Sequence, residues 1–168
     1  MSVLELLPGG KSEAEEKQPG LMDVIEKQLR EDNWYYTKSP DYPNQIDVPM
    51  NGINARFACY FRVNPEQEII AFYVDISSKA PEGRRKEAME YITRINHNLY
   101  LGNYEMNMET GDIRYKLSMD VEGGTVSTTM IKNMMITGIN MADRCNNSLM
   151  EVMFSHAIPA AAAREAMS

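Results

Sequence analysis

The sequence is poor in the residues that build metal sites and disulfide frameworks. It has two cysteines and two histidines among its 168 residues. Cys59 and Cys145 lie far apart in the chain, and neither His97 nor His156 has a cysteine, histidine or carboxylate at a spacing typical of metal ligands. We therefore expect no metal and no cofactor. We expect both cysteines to be reduced and buried, because each falls on an apolar stripe.

Long apolar runs and an excess of basic residues are also missing. No run approaches the roughly 18 residues of a membrane helix, and no basic region precedes an apolar stretch at the N-terminus, so we expect neither a membrane span nor a secretory signal. The 17 basic residues are outnumbered by 24 acidic ones, which gives a net charge of −7. This balance argues against nucleic acid and anionic membranes as partners, and it leaves the cytoplasm as the expected compartment.

Composition divides the chain into three parts. Residues 1–20 carry a short apolar cluster ahead of a polar stretch bounded by proline and glycine, and they predict a flexible tail. The cluster is either a frayed terminus or a docking peptide. Residues 21–157 have the periodicity of a folded domain, and apolar residues make up 43% of the chain, which is enough for a core. Residues 158–168 are rich in alanine and predict a second flexible tail.

Apolar spacing within 21–157 predicts an α+β fold. Helices are expected at 21–31, from about 81 to 101, and over a long C-terminal segment from 127 to 157. Alternating apolar residues predict one hairpin over 53–63 and 70–76 and another over 104–108 and 112–121. Short strands are expected at 34–37 and 46–50, the second at a sheet edge because of Pro49. The prediction is an antiparallel sheet of two hairpins plus short N-terminal strands, with helices packed on one face.

Several segments resemble one known family. They are Asp32-Asn33-Trp34 after the first helix, Val74-Asp75-Ile76, and the segments 96–106 (NHNLYLGNYEM), 111–116 (GDIRYK) and 120–124 (DVEGG). They are similar to the corresponding parts of YbjN-type domains, a family of bacterial sensory transduction regulators. The resemblance implies the fold shared with type III secretion chaperones, which commonly dimerise. It also implies regulation through protein contacts and no catalytic residues.

Two groups of side chains are candidates for a binding surface. Methionines crowd the last helix, and their flexible thioethers suit either an adaptable binding surface or plain core filling. The outward positions of the predicted strands interleave basic and aromatic residues, which suits recognition of a peptide or single-stranded RNA. Ordinary pairing with acidic residues on neighbouring strands is the simpler explanation of these residues. The basic and aromatic residues are Arg56, Tyr60, Arg62, Tyr73, Arg114 and Lys116, and the expected acidic partners are Glu68, Asp75, Asp112 and Asp120.

We predict a protein that is not an enzyme, because Ser148, Ser155 and His156 have no identifiable catalytic partner. The predicted function is that of a cytoplasmic, homodimeric protein-binding adaptor or chaperone-like regulator, which contacts an unidentified protein through an apolar, Met-containing surface. The alternative is a small-ligand sensor with a pocket between the sheet and the C-terminal helix. The candidate protein-binding residues are Trp34, Tyr35, Met106 and Met108, and the candidate dimer-interface residues are Met89, Tyr91, Ile95 and Tyr100.

Overall fold

Four helices and seven strands follow one another in a computed structural model that describes residues 20–168. The predicted N-terminal tail lies outside the described residues apart from Gly20. The elements are α1 (Leu21–Glu31), β1 (Thr37–Lys38), β2 (Gln45–Asp47), β3 (Met50–Asn51), β4 (Arg56–Asn64), β5 (Ile69–Asp75), a 3-10 turn (Glu82–Arg84), α2 (Arg85–Asn96), β6 (Asn103–Met106), β7 (Ile113–Asp120), α3 (Thr128–Phe154) and α4 (Pro159–Met167).

All seven strands belong to one antiparallel sheet. Its strand order is β1-β2-β4-β5-β7-β6, and β3 pairs separately with β4. The central ladder is long: Phe61 lies opposite Phe72, which in turn lies opposite Leu117. The predicted α+β architecture, with an antiparallel sheet, helices and a long helix near the C-terminus, is confirmed.

Period-two alternation decides which side chains of the sheet enter the core. In β4 the odd-numbered residues are buried and most of the even-numbered ones are exposed. The rings of Phe61 and Phe72 meet at 4.6 Å in the middle of the buried face. Helix α3 crosses this face closely at Gly138, where a Cβ atom would lie 2.9 Å from the Phe72 ring. Helices therefore cover one face of the sheet, as the alternation of apolar and polar residues along the strands predicts.

Helix α1 ends in a Schellman motif. Asn33 adopts a left-handed conformation (φ 55°), and the Trp34 N–H donates to the Leu29 carbonyl at 2.8 Å. The chain therefore turns sharply at Trp34 and enters the sheet at Thr37. The predicted strand at 34–37 is wrong in extent, because the motif holds its first residues outside the sheet and leaves only Thr37–Lys38 paired.

The predicted edge strand at 46–50 is also corrected. Ile46 and Val48 are fully buried, and β2 lies between β1 and β4. Pro49 interrupts the pairing only locally, and Met50 resumes it opposite Phe57. β2 is an internal strand because the chain turns at the Schellman motif and β1 then pairs with the side of β2 that faces away from β4.

The Ala-rich segment at 158–168 forms helix α4 and is not a flexible tail. Ala162, Ala163 and Ala166 are buried where α4 packs against α2 and α3. Pro159 occupies the first turn, where its missing N–H costs no hydrogen bond. The Arg144 side chain donates to the carbonyl oxygen of Ala166 at 2.6 Å, which holds the end of α4 against α3. Among the described residues, no helix combines the length and apolar character needed to cross a membrane.

Candidate protein-contact surface

The face of the sheet opposite the helices carries the basic and aromatic residues singled out in the sequence. Tyr60 on β4 lies directly opposite Tyr73 on β5, and Tyr73 lies opposite Lys116 on β7. Arg62 lies two residues from Tyr60 along β4, and Arg114 lies two residues from Lys116 along β7 on the opposite side of these three aligned residues. The sequence prediction that these residues share one face is therefore correct.

Five of the side chains on this face form a continuous stack. The rings of Tyr60 and Tyr73 are 4.9 Å apart and inclined by 23°. The Arg114 guanidinium lies 4.4 Å from the centre of the Tyr73 ring. At the other end, the Arg62 guanidinium lies 4.9 Å from the Tyr42 ring and 5.5 Å from the Tyr60 ring. We call these residues (Tyr42, Arg62, Tyr60, Tyr73 and Arg114) the tyrosine–arginine row.

The two arginines of the row differ in how their charge is balanced. Arg114 forms a bidentate pair with Glu105 at 2.9 and 2.8 Å, and Lys116 binds the same carboxylate at 3.1 Å. Arg62 instead donates to the neutral side chain of Gln45, at 3.3 and 2.7 Å. Within residues 20–168 Arg62 forms no ion pair, so its exposed guanidinium remains available to an acidic group of a partner.

Partial burial shifts the titration of several groups along the row. Desolvation raises the pKa of the Asp75 carboxyl above its usual value, against the opposing effect of Arg114, and desolvation also raises the pKa of Tyr60. Burial opposes ionisation of Glu105, but hydrogen bonds from Arg114 and Lys116 outweigh it and hold the pKa of Glu105 below its usual range. The face is therefore partly shielded from water, where polar contacts with a partner are stronger than on an open surface.

The expected cross-strand partners are wrong in detail. Arg114 and Lys116 pair with Glu105, and Arg56 donates to Asn51 at 2.8 Å. Within residues 20–168 none of the four acidic residues expected from the sequence forms an ion pair with the basic residues of this face, although Asp75 lies directly opposite Arg114 in the sheet. The sequence reveals which face a strand residue occupies, but it does not reveal which strand comes to lie beside it.

The four candidate protein-binding residues do not form one site. Trp34 and Tyr35 precede β1 at one edge of the sheet, where they are 37% and 71% exposed. Met106 ends β6 at the opposite edge, roughly 24 Å away for five strand spacings of about 4.8 Å. Met106 is partly buried against the core, and Met108 is exposed beyond it.

The candidate dimer residues divide in the same way. Met89 and Tyr100 are exposed, and Tyr100 stands in the loop after α2 because the helix ends at Asn96. Tyr91 and Ile95 are completely buried inside the chain. The Tyr91 hydroxyl hydrogen-bonds to Ser148 Oγ at 2.6 Å, so Tyr91 joins α2 to α3 and is not available to a second copy.

Three of the six methionines of α3, Met134, Met135 and Met153, are buried, and Met141 and Met150 pack partly buried against the core. Met130 is 38% exposed. Within residues 20–168 the other exposed methionines are Met89 and Met108, which lie on other parts of the chain. The described residues therefore do not form a continuous methionine surface.

A family model matches residues 22–151, and its description is "Putative bacterial sensory transduction regulator". The chain belongs to the YbjN family. The match contains the whole tyrosine–arginine row, whereas α4 begins after the last matched residue. No curated protein matches the chain significantly. Among solved structures, the chain is similar to one in a structure described as the HopA1–SchA chaperone–effector complex, with 13% identity, a TM-score of 0.49, and coverage of 72% of this chain and 88% of that one.

Tyr42 was not predicted as part of a surface, because the loop between β1 and β2 carries no periodic signal in the sequence. The loop closes tightly, since the Gln45 N–H donates to the Tyr42 carbonyl at 3.1 Å. This turn brings the Tyr42 ring over Arg62, which lies on a strand separated from it in sequence. An aromatic residue beside prolines in a short loop was the only available signal.

Proposed function

We propose that this YbjN-family protein is a non-catalytic, protein-binding adaptor or chaperone-like regulator. Its proposed contact surface is the accessible part of the tyrosine–arginine row, formed by Tyr42, Arg62 and the half-buried Tyr60, whereas Tyr73 is buried beneath it. The observation that carries the proposal is the exposed Arg62 guanidinium, which is stacked between Tyr42 and Tyr60 and, among the residues that the structure describes, is hydrogen-bonded only to the neutral amide of Gln45. Tyrosine and arginine are enriched at the centres of protein interfaces.

The row is already ordered in the free chain, which favours binding. Stacking restrains Tyr60, Tyr73 and Arg114, and Gln45 restrains Arg62. Less side-chain freedom is then lost when a partner binds, and this loss otherwise costs about 0.5–1.5 kcal/mol for each immobilised side chain. Tyr35 precedes β1 and is 71% exposed, and we propose it as an additional contact at that edge of the sheet.

The proposed partner is an extended or helical polypeptide segment that lies across the face and places an acidic side chain on Arg62. Addition of a partner strand at the β6 edge of the sheet is less favoured. At β6 the Asn96 side chain accepts the Tyr104 N–H at 2.8 Å and donates to the Tyr104 carbonyl at 3.0 Å. These bonds occupy the backbone groups that an added strand would need.

Comparative affinity purification from the native host tests the proposal. Tagged wild type, Arg62→Ala and Tyr42→Ala would be compared by mass spectrometry of the captured proteins. The matched control is Arg56→Ala, an arginine on the same strand and face that also pairs with a neutral amide. We expect proteins that are lost with Arg62→Ala and Tyr42→Ala but retained with Arg56→Ala. Equal capture by all three folded variants contradicts this location of the surface.

The earlier candidates Trp34 and Tyr35 need a separate comparison. The Trp34→Ala, Tyr35→Ala double variant should lose the same proteins as Arg62→Ala if both edges of the row contact one partner. Loss of a different set places a second contact near β1. Unfolding of the double variant assigns these residues to stability.

Homodimerisation forms part of the proposal through the exposed residues Met89 and Tyr100. Light scattering should give about twice the 19.1 kDa chain mass, and the Met89→Glu, Tyr100→Glu double variant should give the monomer mass. A monomeric wild type at high concentration contradicts the dimer. A cytoplasmic location also remains proposed, and two buried, unpaired thiols are compatible with it.

The alternative of a ligand sensor with a pocket between the sheet and the long C-terminal helix has no supporting observation. At Gly138 the backbone of α3 approaches the Phe72 ring so closely that a methyl group would not fit without displacement. Met134 and Met135 of α3 are also buried in the core.

A further inference from the structure

A groove of about 580 Å³ runs between the end of α2 and helix α4, away from the tyrosine–arginine row. Thr93, Arg94, His97 and Asn98 line it on the α2 side. On the α4 side, Ala160, Ala163, Arg164 and Met167 line it. The two alanines contribute only methyl groups, which leaves room between the longer side chains of Arg164 and Met167 and the end of α2.

The charge of the groove is opposite to that of the whole chain. None of its lining residues is acidic, although the chain has 24 acidic residues and a net charge of −7. Arg94 pairs with Glu90 at 2.8 Å through Nε, which leaves its terminal nitrogens free for another acceptor. In the part of the chain from 20 to 168, the side chains of Arg164, His97 and Thr93 make no hydrogen bond. The groove therefore offers several donors without partners.

We propose that this groove binds a small organic anion that carries a carboxylate or phosphate group. Arg94 and Arg164 would hold the anionic group from opposite walls, because the guanidinium fork matches the oxygens of both groups. The volume lies within the usual range for small-molecule sites, about 300–1,000 Å³. This site is independent of the proposed protein-contact surface.

Binding of the anion would fix α4 in place. Helix α4 has nine residues, and a helix shorter than about 12 residues is marginal without tertiary support. Its buried surface consists mainly of alanine methyl groups, and Arg144 secures its end by hydrogen bonds to Ala166 and Ser168. Because the anion contacts both α2 and α4, it binds only the docked state of α4 and shifts the population toward that state.

NMR titration of the full chain at low ionic strength tests the site, with inorganic phosphate and succinate as separate probes. We expect saturable shifts confined to the amides of 93–98 and 160–167, and slower hydrogen exchange in α4 when the anion is present. Saturation with phosphate alone, with succinate alone or with both identifies which anionic group the site accepts. Each of these results supports the site.

Two variants and one control separate the site from general electrostatics. Arg164→Gln should weaken binding roughly tenfold or more, as expected for the loss of a charge-assisted hydrogen bond. Ala160→Leu should also weaken it, because Ala160 is a half-exposed lining residue whose enlargement fills the groove without changing charge. The control is Arg30→Gln, because Arg30 also occupies the last turn of its helix, lies outside the lining of the groove, and its replacement changes the net charge by the same amount as Arg164→Gln.

Three results would overturn the proposal. One is the absence of saturable shifts with both probes. Another is equal weakening by Arg164→Gln and Arg30→Gln, which would attribute the effect to overall charge. The third is unchanged affinity in Ala160→Leu, which would place the anion outside the groove.

Discussion

Replacing Gly52 by alanine should disrupt a loop that α3 holds through one buried carboxylate. Asp143 Oδ1 accepts the N–H groups of Asn54 and Ala55 at 2.8 and 3.2 Å, and Oδ2 accepts that of Ile53 at 3.0 Å. A Cβ atom on Gly52 would lie 2.1 Å from Asp143 Oδ1, well inside the contact distance. The alanine can be accommodated only if the carboxylate leaves the loop.

The expected cost follows from those hydrogen bonds. Hydrogen bonds to a charged group contribute about 1.5–3 kcal/mol each, but water partly replaces them at a half-exposed loop. We expect Gly52→Ala and Asp143→Ala each to lower the free energy of unfolding by about 2–4 kcal/mol. The three atoms nearest the added Cβ all belong to Asp143. Once that side chain is removed, Gly52→Ala should cost much less.

A double-mutant cycle measured by urea unfolding checks this reasoning. The double variant should be more stable than additivity predicts by about 1–3 kcal/mol, at an unchanged dependence on urea concentration. Gly83→Ala is the matched control, because nothing lies within 4 Å of the added Cβ. Additive losses in the double variant, or a loss in Gly83→Ala as large as in Gly52→Ala, would refute the assignment of the clash to Asp143.

Three further predictions concern titration, reactivity and packing. Hydrogen bonding to Lys38 lowers the pKa of Glu26 below its ordinary value of 4.5, so this carboxylate stabilises the fold above pH 4.5. In chemical unfolding, the difference in the free energy of unfolding between wild type and Glu26→Gln should be greatest above pH 4.5. It should disappear as the pH falls through the pKa of Glu26 in the folded protein. A difference that does not change with pH contradicts this prediction. Burial raises the pKa of Cys59 to about 12 and also raises the pKa of Cys145. Both thiols should therefore react with a thiol reagent at pH 8 far more slowly in the native protein than in the urea-unfolded protein. Rapid labelling of the native protein would disprove this prediction. Gly138→Ala should lower the free energy of unfolding by about 1 kcal/mol, because overpacking against Phe72 outweighs the gain in helix propensity. A variant more stable than wild type would contradict this and show that the core rearranges to accommodate the added methyl group.

The candidate surface was partly readable in the sequence. Alternation in β4, β5 and β7 placed Tyr60, Tyr73 and Arg114 on the open face, because successive strand side chains point to opposite sides wherever the strand lies. The same rule predicted the buried residues opposite them. The alternation over 53–63 predicted a strand that begins too early. β4 begins at Arg56, and Ile53 is 97% exposed in the loop that Asp143 holds.

Contacts between distant elements were not readable. The sequence contains no local signal that β1 and β6 lie at opposite edges of the sheet, so Trp34 and Met106 appeared compatible with one site. The candidate dimer residues of α2 failed for the same reason. The apolar side of α2 packs against α3 and α4, and this packing buries Tyr91 and Ile95 within the chain.

By itself the sequence determined the types of the main helices and long strands within residues 21–157, the two faces of each long strand and the α+β class, because these depend on periodicities of a few residues. Only the tertiary structure decided the order of the strands, the position of Tyr42 over Arg62 and the helical state of 159–167. The alanine-rich segment makes the reason clear. A nine-residue helix is marginal on its own, and its stability comes from the surfaces of α2 and α3 that it covers.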